Sequence, residues 1–135
     1  MAMAKEQVKF KFKGYRIVNS EINIARDGEI DKGLSVTFSP VNSSVEDSVY
    51  ILDLGTEIIN EDNSINIKLE MRGFFEFDQE LPEEQKAVFF IGSAPAIMFP
   101  YLRAYISTLT SISGIEPIIL PTINFSEGLR RANKD

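Results

Sequence analysis

The stretch from Ala87 to Ile115, AVFFIGSAPAIMFPYLRAYISTLTSISGI, carries a single charged residue, Arg103. Everywhere else acids and bases are scattered freely, so this segment must be screened from water on most sides. Its spacing predicts a helix over Ala94–Ile112. Pro95 sits where a first-turn proline is tolerated, because its missing N–H has no intrahelical partner anyway. Ser93 is placed to cap that helix and Gly114 to stop it. Ile97, Met98, Tyr101, Leu102, Tyr105, Ile106, Leu109 and Ile112 recur at three-and-four spacing. Ala94, Ala96, Phe99 and Ala104 fill much of the remaining circumference. A helix apolar nearly all round has something packed on both sides. In a chain this short, the second side is expected to be another copy of the protein.

Pro100 falls inside the same run. Its ring displaces the carbonyl four residues back and removes one hydrogen bond, at a cost of about 3 kcal/mol, so a kinked helix is expected. The plainer alternative is a helix that starts at Phe99 with Pro100 in its first turn. The run is long enough to cross a bilayer. Against insertion, Arg103 lies near its middle, Ser107, Thr108, Thr110 and Ser111 crowd one end, and no Lys/Arg cluster flanks it.

The chain has 135 residues, the size of a single domain with one modest core. The net charge is −6 and the pI near 4.7, which argues against a nucleic-acid partner. The N-terminal MAMAKEQVKFKFK has no apolar core of the kind a secretion signal needs, so a cytoplasmic location is expected. Cysteine and histidine are both absent. That excludes disulfides, Cys/His zinc sites, thiol nucleophiles and Ser-His-Asp triads. The eight glycines are dispersed, and no phosphate-cradling G-x-x-x-x-G-K occurs. Glu61-Asp62-Asn63 is too short for a calcium loop and fits a turn. Glu83-Glu84 reads as a solvated charged face. No catalytic residue, cofactor or metal site is expected, and the chain does not read as an enzyme.

Alternating apolar and polar residues predict four strands. Val8, Phe10 and Phe12 alternate with Lys9, Lys11 and Lys13, a half-buried strand with a lysine face suited to an edge. It is expected to continue through Tyr15 to Ile24. Arg26-Asp27-Gly28 reads as a turn. Leu34, Val36 and Phe38 form a second strand that Pro40 should stop, leaving Asn42-Ser43-Ser44 as a loop. Val49–Ile59 is a third strand, and Ile65, Ile67, Leu69 and Met71 mark the fourth. Gly73 leaves an inward position empty, the sign of a bulge or of a close backbone approach. Phe74, Phe75 and Phe77 follow, and Pro82 is placed to start a short helix from Glu83 towards Phe90. Pro117 and Pro121 make Glu116–Phe125 an extended apolar segment, and Asn124 or Ser126 could cap a short terminal helix through Arg131. The fold class is α+β: a meander-like four-stranded antiparallel sheet, with one long helix and a short C-terminal helix packed on one face. The apolar excess points to self-association or to a groove for apolar ligands.

Ala94-Pro95-Ala96-Ile97-Met98-Phe99-Pro100-Tyr101-Leu102-Arg103, then Gly114, then Leu120-Pro121-Thr122-Ile123-Asn124-Phe125, resembles the signature of the SecB family. These are bacterial protein-export chaperones whose main helix carries a P-x-x-LFPYAR-like run followed by Pro-(Val/Ile)-Asn-Phe. Tyr15-Arg16-Ile17, Leu34–Phe38, Ser48-Val49-Tyr50 and Gly73-Phe74-Phe75 fall at matching intervals, so the likeness covers nearly the whole chain. It implies one SecB-like domain over residues 1–135 and a homotetramer, a dimer of dimers with the long helix between dimers. It implies a holdase that grips unfolded preproteins in long apolar grooves, using neither ATP nor metal. Carried over by position, Leu34, Val36, Phe38, Ile118, Ile119, Leu120 and Leu129 would line the groove. Gly73, Met98, Tyr101, Leu102, Tyr105 and Leu109 would lie at the interface between copies.

The family passes its clients to the SecA motor through acidic residues on the outer sheet face. Glu21 matches one such position, but Lys68 stands at another, and the tail Arg130-Arg131-Ala132-Asn133-Lys134-Asp135 is short and basic. These departures weaken the implied SecA contact. They leave room for a SecB-like chaperone dedicated to one partner, such as an antitoxin, or for an oligomeric adaptor that binds no unfolded chain.

Overall fold

The alternating runs form β1 (Phe10–Ile24), β2 (Leu34–Glu46), β3 (Val49–Asn60) and β4 (Ile65–Phe77), all antiparallel. The computed structural model describes residues 9–30 and 32–122. The expected strand start at Val8, the groove residue Leu129 and the short C-terminal helix therefore lie outside the described residues. The sheet order is β1-β4-β3-β2. β2, β3 and β4 follow one another as hairpins, but the chain between β1 and β2 crosses to the far edge, so the order is that of a Greek key and not the expected meander. Composition explains the placement. β3 and β4 carry the densest apolar sequence and sit in the middle, whereas β1 with its lysines and β2 with its proline take the edges.

Pro40 does not stop β2. The ladder slips by one residue between Pro40 and Asn42, Val41 is left out of register, and Asn42-Ser43-Ser44 continue the strand against Asp53, Leu52 and Ile51. An edge strand needs donors on one side only, so a proline at a bulge is tolerated there. On the outer face Arg72 grips Asp53 with both ends of its guanidinium, Nε to Oδ1 at 2.7 Å and Nη2 to Oδ2 at 2.9 Å. Those bonds raise the Arg72 pKa above its ordinary value and satisfy a carboxylate that is itself buried.

The long helix has the predicted bounds but does not begin afresh at Ala94, because the short helix expected from Glu83 runs into it. α1 (Glu83–Ala87) begins after Pro82, a π-helical turn spans Val88–Ser93, and α2 (Ala94–Ile112) follows without a break. Ser93 makes no capping hydrogen bond and has helical torsions, so it is no N-cap. Pro95 supplies no N–H to the Ile91 carbonyl, and the wider turn lies immediately ahead of it; the Ala94 N–H donates to the Phe89 carbonyl. Pro100 sits inside α2, not at its start, with Ala96 and Pro100 both on the exposed side, where water can reach the freed carbonyl. The stop behaves as expected. Gly114 has φ +88, its N–H donates to the Ser111 carbonyl and the Ile115 N–H to the Thr110 carbonyl, which is a Schellman ending.

The helix from Glu83 to Ile112 is by length and composition apolar enough to cross a bilayer. Here one face of it lies on the sheet: Met98, Leu102 and Ile106 are fully buried against Leu54, Ile58, Ile67 and Met71. At Gly73 the two layers come close; β4 pairs there with Tyr15 and Leu52, and the β1–β4 ladder slips by one residue at Lys13, next to it. A Cβ at Gly73 would sit 2.6 Å from Met98 Sδ. The close approach expected at this glycine is thus made by a side chain of the same chain, and the bulge that stands beside it lies in β1.

One buried group breaks the pattern. Thr56 is 5% exposed on the inner face between Phe38 and Leu69, and its Oγ1 has no hydrogen-bond partner. An unpaired buried hydroxyl carries an uncompensated desolvation cost. Thr56→Val should therefore leave the fold intact and raise stability by about 1 kcal/mol, read from denaturant midpoints at unchanged slope.

Candidate functional site

Beyond Gly114 the chain leaves α2 as an arm, residues 115–122, that forms neither helix nor strand. Pro117 and Pro121 account for this, since each removes a donor and fixes one torsion. Along the arm burial alternates: Ile118 and Leu120 are buried, and Ile119 between them is 68% exposed. That is the pattern of an extended chain with one side on the core. Facing it is the segment that carries β1 across to β2. Between the two lies an apolar cleft of about 390 Å³. Ile30, Leu34 and Ile65 form its sheet side, and Ile115, Pro117, Ile118 and Ile119 its arm side. Lys32 and Glu116 stand at its mouth, 4.0 Å apart and both well exposed, a pair that contributes little by itself.

The cleft gathers some of the groove residues named from sequence and not others. Leu34, Ile118 and Ile119 line it. Val36 and Phe38 continue the apolar inner face of β2 beyond it, half-buried, with the Phe38 ring edge-on to Phe99 at 5.4 Å. Leu120 is 1% exposed and belongs to the core. Ile30, Ile65 and Ile115 line the cleft as well and are not among the residues expected there. Ile30 had a signal, being the lone apolar residue in Arg26-Asp27-Gly28-Glu29-Ile30-Asp31-Lys32, where nothing local asks for it.

Of the residues expected between copies, Gly73, Met98 and Leu102 are taken up by the chain's own helix-on-sheet contact. Leu109 is half-buried, and Tyr105 is half-buried with its hydroxyl donating to Ser20 Oγ at 2.8 Å. Tyr101 is 43% exposed and joins Phe12 and Tyr15 in an open aromatic cluster, with ring centroids 5.4 and 5.1 Å away. Val88, Ile91 and Ile112 are also exposed along the helix. On the outer sheet face Glu21 lies opposite Lys68, which in turn lies opposite Glu57. A shallow polar depression centred on Gly55 adjoins them, lined by Asn19, Thr37, Glu57, Lys68 and Glu70. Among the described residues no three carboxylates come together in a way that could hold a metal ion.

Residues 19–134 match the family described as preprotein translocase subunit SecB. The protein-export protein SecB of Azoarcus sp. is 30% identical over 96 residues, 68% of this chain and 63% of that protein. That of Orientia tsutsugamushi strain Boryong is 26% identical over 113 residues, 82% of this chain and 68% of that one. An uncharacterised protein of Methanocaldococcus jannaschii is 43% identical over 60 residues, 44% of this chain and 38% of that one. The chain thus spans less than two thirds of the length of both the archaeal relative and the Azoarcus SecB. Among solved structures, a SecB-like chaperone of Mycobacterium tuberculosis, in complex with a peptide from an antitoxin, has a TM-score of 0.73 at 15% identity, over 86% of this chain and 91% of that one. At that identity the likeness establishes the α+β fold, a four-stranded antiparallel sheet under one long helix. A family match across this much of the sequence establishes the lineage: the chain belongs to the SecB family of protein-export chaperones.

Proposed function

We propose that this protein is an ATP-independent, cytoplasmic holdase that binds unfolded polypeptides, preproteins for export among them, in the apolar cleft and along the neighbouring inner face of β2. The observation that carries this reading is the cleft itself. It is open, lined mainly by aliphatic side chains with Lys32 and Glu116 as its charged members, and has the 68% exposed Ile119 on its wall. A holdase needs broad apolar surface and no shaped polar pocket, because unfolded chains differ from folded ones chiefly in exposing apolar groups. Val88, Ile91, Tyr101 and Ile112 remain exposed on the helix, which favours a homotetramer that joins copies through this face. Leu129, outside the described residues, is proposed to extend the groove.

The direct test mixes purified protein with a slow-folding secretory protein, once denatured and once folded, and reads complex and oligomer together by size-exclusion chromatography with light scattering. Capture of the denatured form alone supports the holdase. An intact tetramer that captures neither form would sink it. Ile119→Asp is the informative variant, because an exposed residue can change without disturbing the core. Affinity for the denatured protein should fall roughly tenfold or more, from the loss of one buried aliphatic contact. Leu120→Asp is uninformative, since a charge at a 1% exposed position disrupts the fold.

A second reading, a chaperone dedicated to one partner, is favoured by Lys68 opposite Glu21, which breaks up the acidic outer face that SecA would meet. The SecB-like chaperone of known structure in complex with an antitoxin peptide supports this reading. This reading predicts capture of one cognate segment and no capture of the general denatured probe.

A further inference from the structure

The wall of the cleft is tied to the helix by side chains, not by backbone ladders. The Ile118 N–H donates to Thr110 Oγ1 at 2.9 Å, and Ser107 Oγ donates to the Ile118 carbonyl at 2.9 Å. Thr110 Oγ1 also donates to the Ile106 carbonyl at 2.8 Å. Thr110 is fully buried. A valine of the same shape would fill its place, and a hydroxyl in a helix interior ordinarily only returns to its own turn. Here its lone pairs accept from the arm as well.

The arrangement has a consequence for what the arm presents. In extended backbone the N–H and C=O of one residue point to one edge and those of the next to the other. With both groups of Ile118 held by the helix, those of Ile119 point away from it. The Ile119 N–H and C=O make no hydrogen bond among the described residues. The arm therefore offers one aliphatic side chain and one unpaired donor–acceptor pair in a fixed position.

We propose that Ser107 and Thr110 are positioning residues for client binding: their hydroxyls lock the arm at Ile118 so that the side chain and backbone of Ile119 stand ready for an extended, unfolded chain. This rests on the holdase reading. Pre-ordering the wall removes an entropic cost that binding would otherwise carry. Neither hydroxyl touches the client.

The test uses the full chain and, as probe, fluorescein-labelled reduced and carboxymethylated α-lactalbumin, a permanently unfolded polypeptide. Affinity is read by anisotropy, arm order by amide exchange at Ile118, and global stability by thermal unfolding. Thr110→Val should speed exchange at Ile118 and weaken probe binding by roughly tenfold, while Thr110→Ser, which keeps the hydroxyl, should restore both. Ser107→Ala strips only the carbonyl contact and should weaken binding roughly threefold; it carries the same expectation should Thr110→Val not fold. A purely structural role would lower the melting temperature and leave the affinity of the folded protein unchanged, and that result overturns the proposal. A wild-type protein that ignores the probe overturns the holdase reading and this one with it. Wild-type binding with unaltered variants overturns this one alone.

Discussion

Phe75→Ala should lower stability by about 3–5 kcal/mol, the range for removing a wholly buried aromatic ring. In a chain of this size that corresponds to a fall of roughly 10–20 °C in melting temperature. Phe75 has 0% exposure, and its ring is the point where three strands and the helix meet. It stacks on Phe10 of β1 at 4.8 Å and lies 5.3 Å from Phe12 and 6.1 Å from Tyr50 of β3. Phe10 stacks in turn on Phe89 at 4.9 Å, and Tyr50 on Phe90 at 4.0 Å, so both ends of the cluster reach the π-helical turn. Burial raises the Tyr50 pKa above its ordinary value, as expected for a phenol held in that cluster. Removing the central ring leaves a void that flat, stacked neighbours cannot close without breaking their own contacts. Phe75→Leu, which keeps most of the volume, should cost appreciably less. Thermal and denaturant unfolding measure both. A loss below about 1 kcal/mol for the alanine variant would mean that the cluster is not packed as described. The cleft begins at Ile65, at the other end of β4, roughly 30 Å away along a strand. Client affinity of the folded fraction should accordingly be unchanged.

Which parts of this architecture could be read from the residues follows from how local their causes are. The four strands are written in period-two alternation, and the end of α2 in Gly114, because each depends on side chains a few positions apart. The Greek-key order is not local. It follows from which strands can stand at an edge, and that is settled by comparing whole strands: the lysines of β1 and Pro40 of β2 against the denser apolar runs of β3 and β4. Pro40 itself misled, since a proline stops a central strand but only bulges an edge one. Both helices fall where the pattern puts them, one from Glu83 and one over Ala94–Ile112, but Ser93 and Pro95 imitate a first turn and hide that the two are joined. What those residues mark is a π-helical turn inside a longer helix, a feature with no short-range signature of its own. The site was half legible. The apolar arm between two prolines could be read, as could Leu34. The other wall, with Ile30 and Ile65, comes together only because β1 crosses the end of the sheet to reach β2. Pattern alone also could not sort Leu120, which is core, from Ile118, buried in the wall of the cleft, and Ile119, which is open.

Gly73→Val should cost about 3 kcal/mol, the upper end of the range for overpacking, and the reason decides how the helix is used. A Cβ at this position would come within 2.6 Å of Met98 Sδ and 3.0 Å of its Cε. A methionine at a surface could swing aside. Met98 is 0% exposed, and its neighbours Met71, Phe75 and Leu102 are equally closed. The valine's own preference for strands offsets little of this in a central strand. Met98→Ala alone should cost about 2–4 kcal/mol through the cavity it opens. Combined, the two changes should cost at least 1 kcal/mol less than their sum, because the new methyl groups occupy space the thioether vacates. Measured by denaturant unfolding over a hundredfold range of protein concentration, this coupling should not vary, since both residues belong to one chain. Strict additivity would show that Met98 does not rest on Gly73. A coupling that grows with concentration would place the contact between copies, and the helix would then cover a partner's sheet in place of its own. Constancy leaves the sheet-facing side of α2 fully employed within one chain. The exposed apolar residues of the helix, Val88, Ile91, Tyr101 and Ile112, then take no part in that contact.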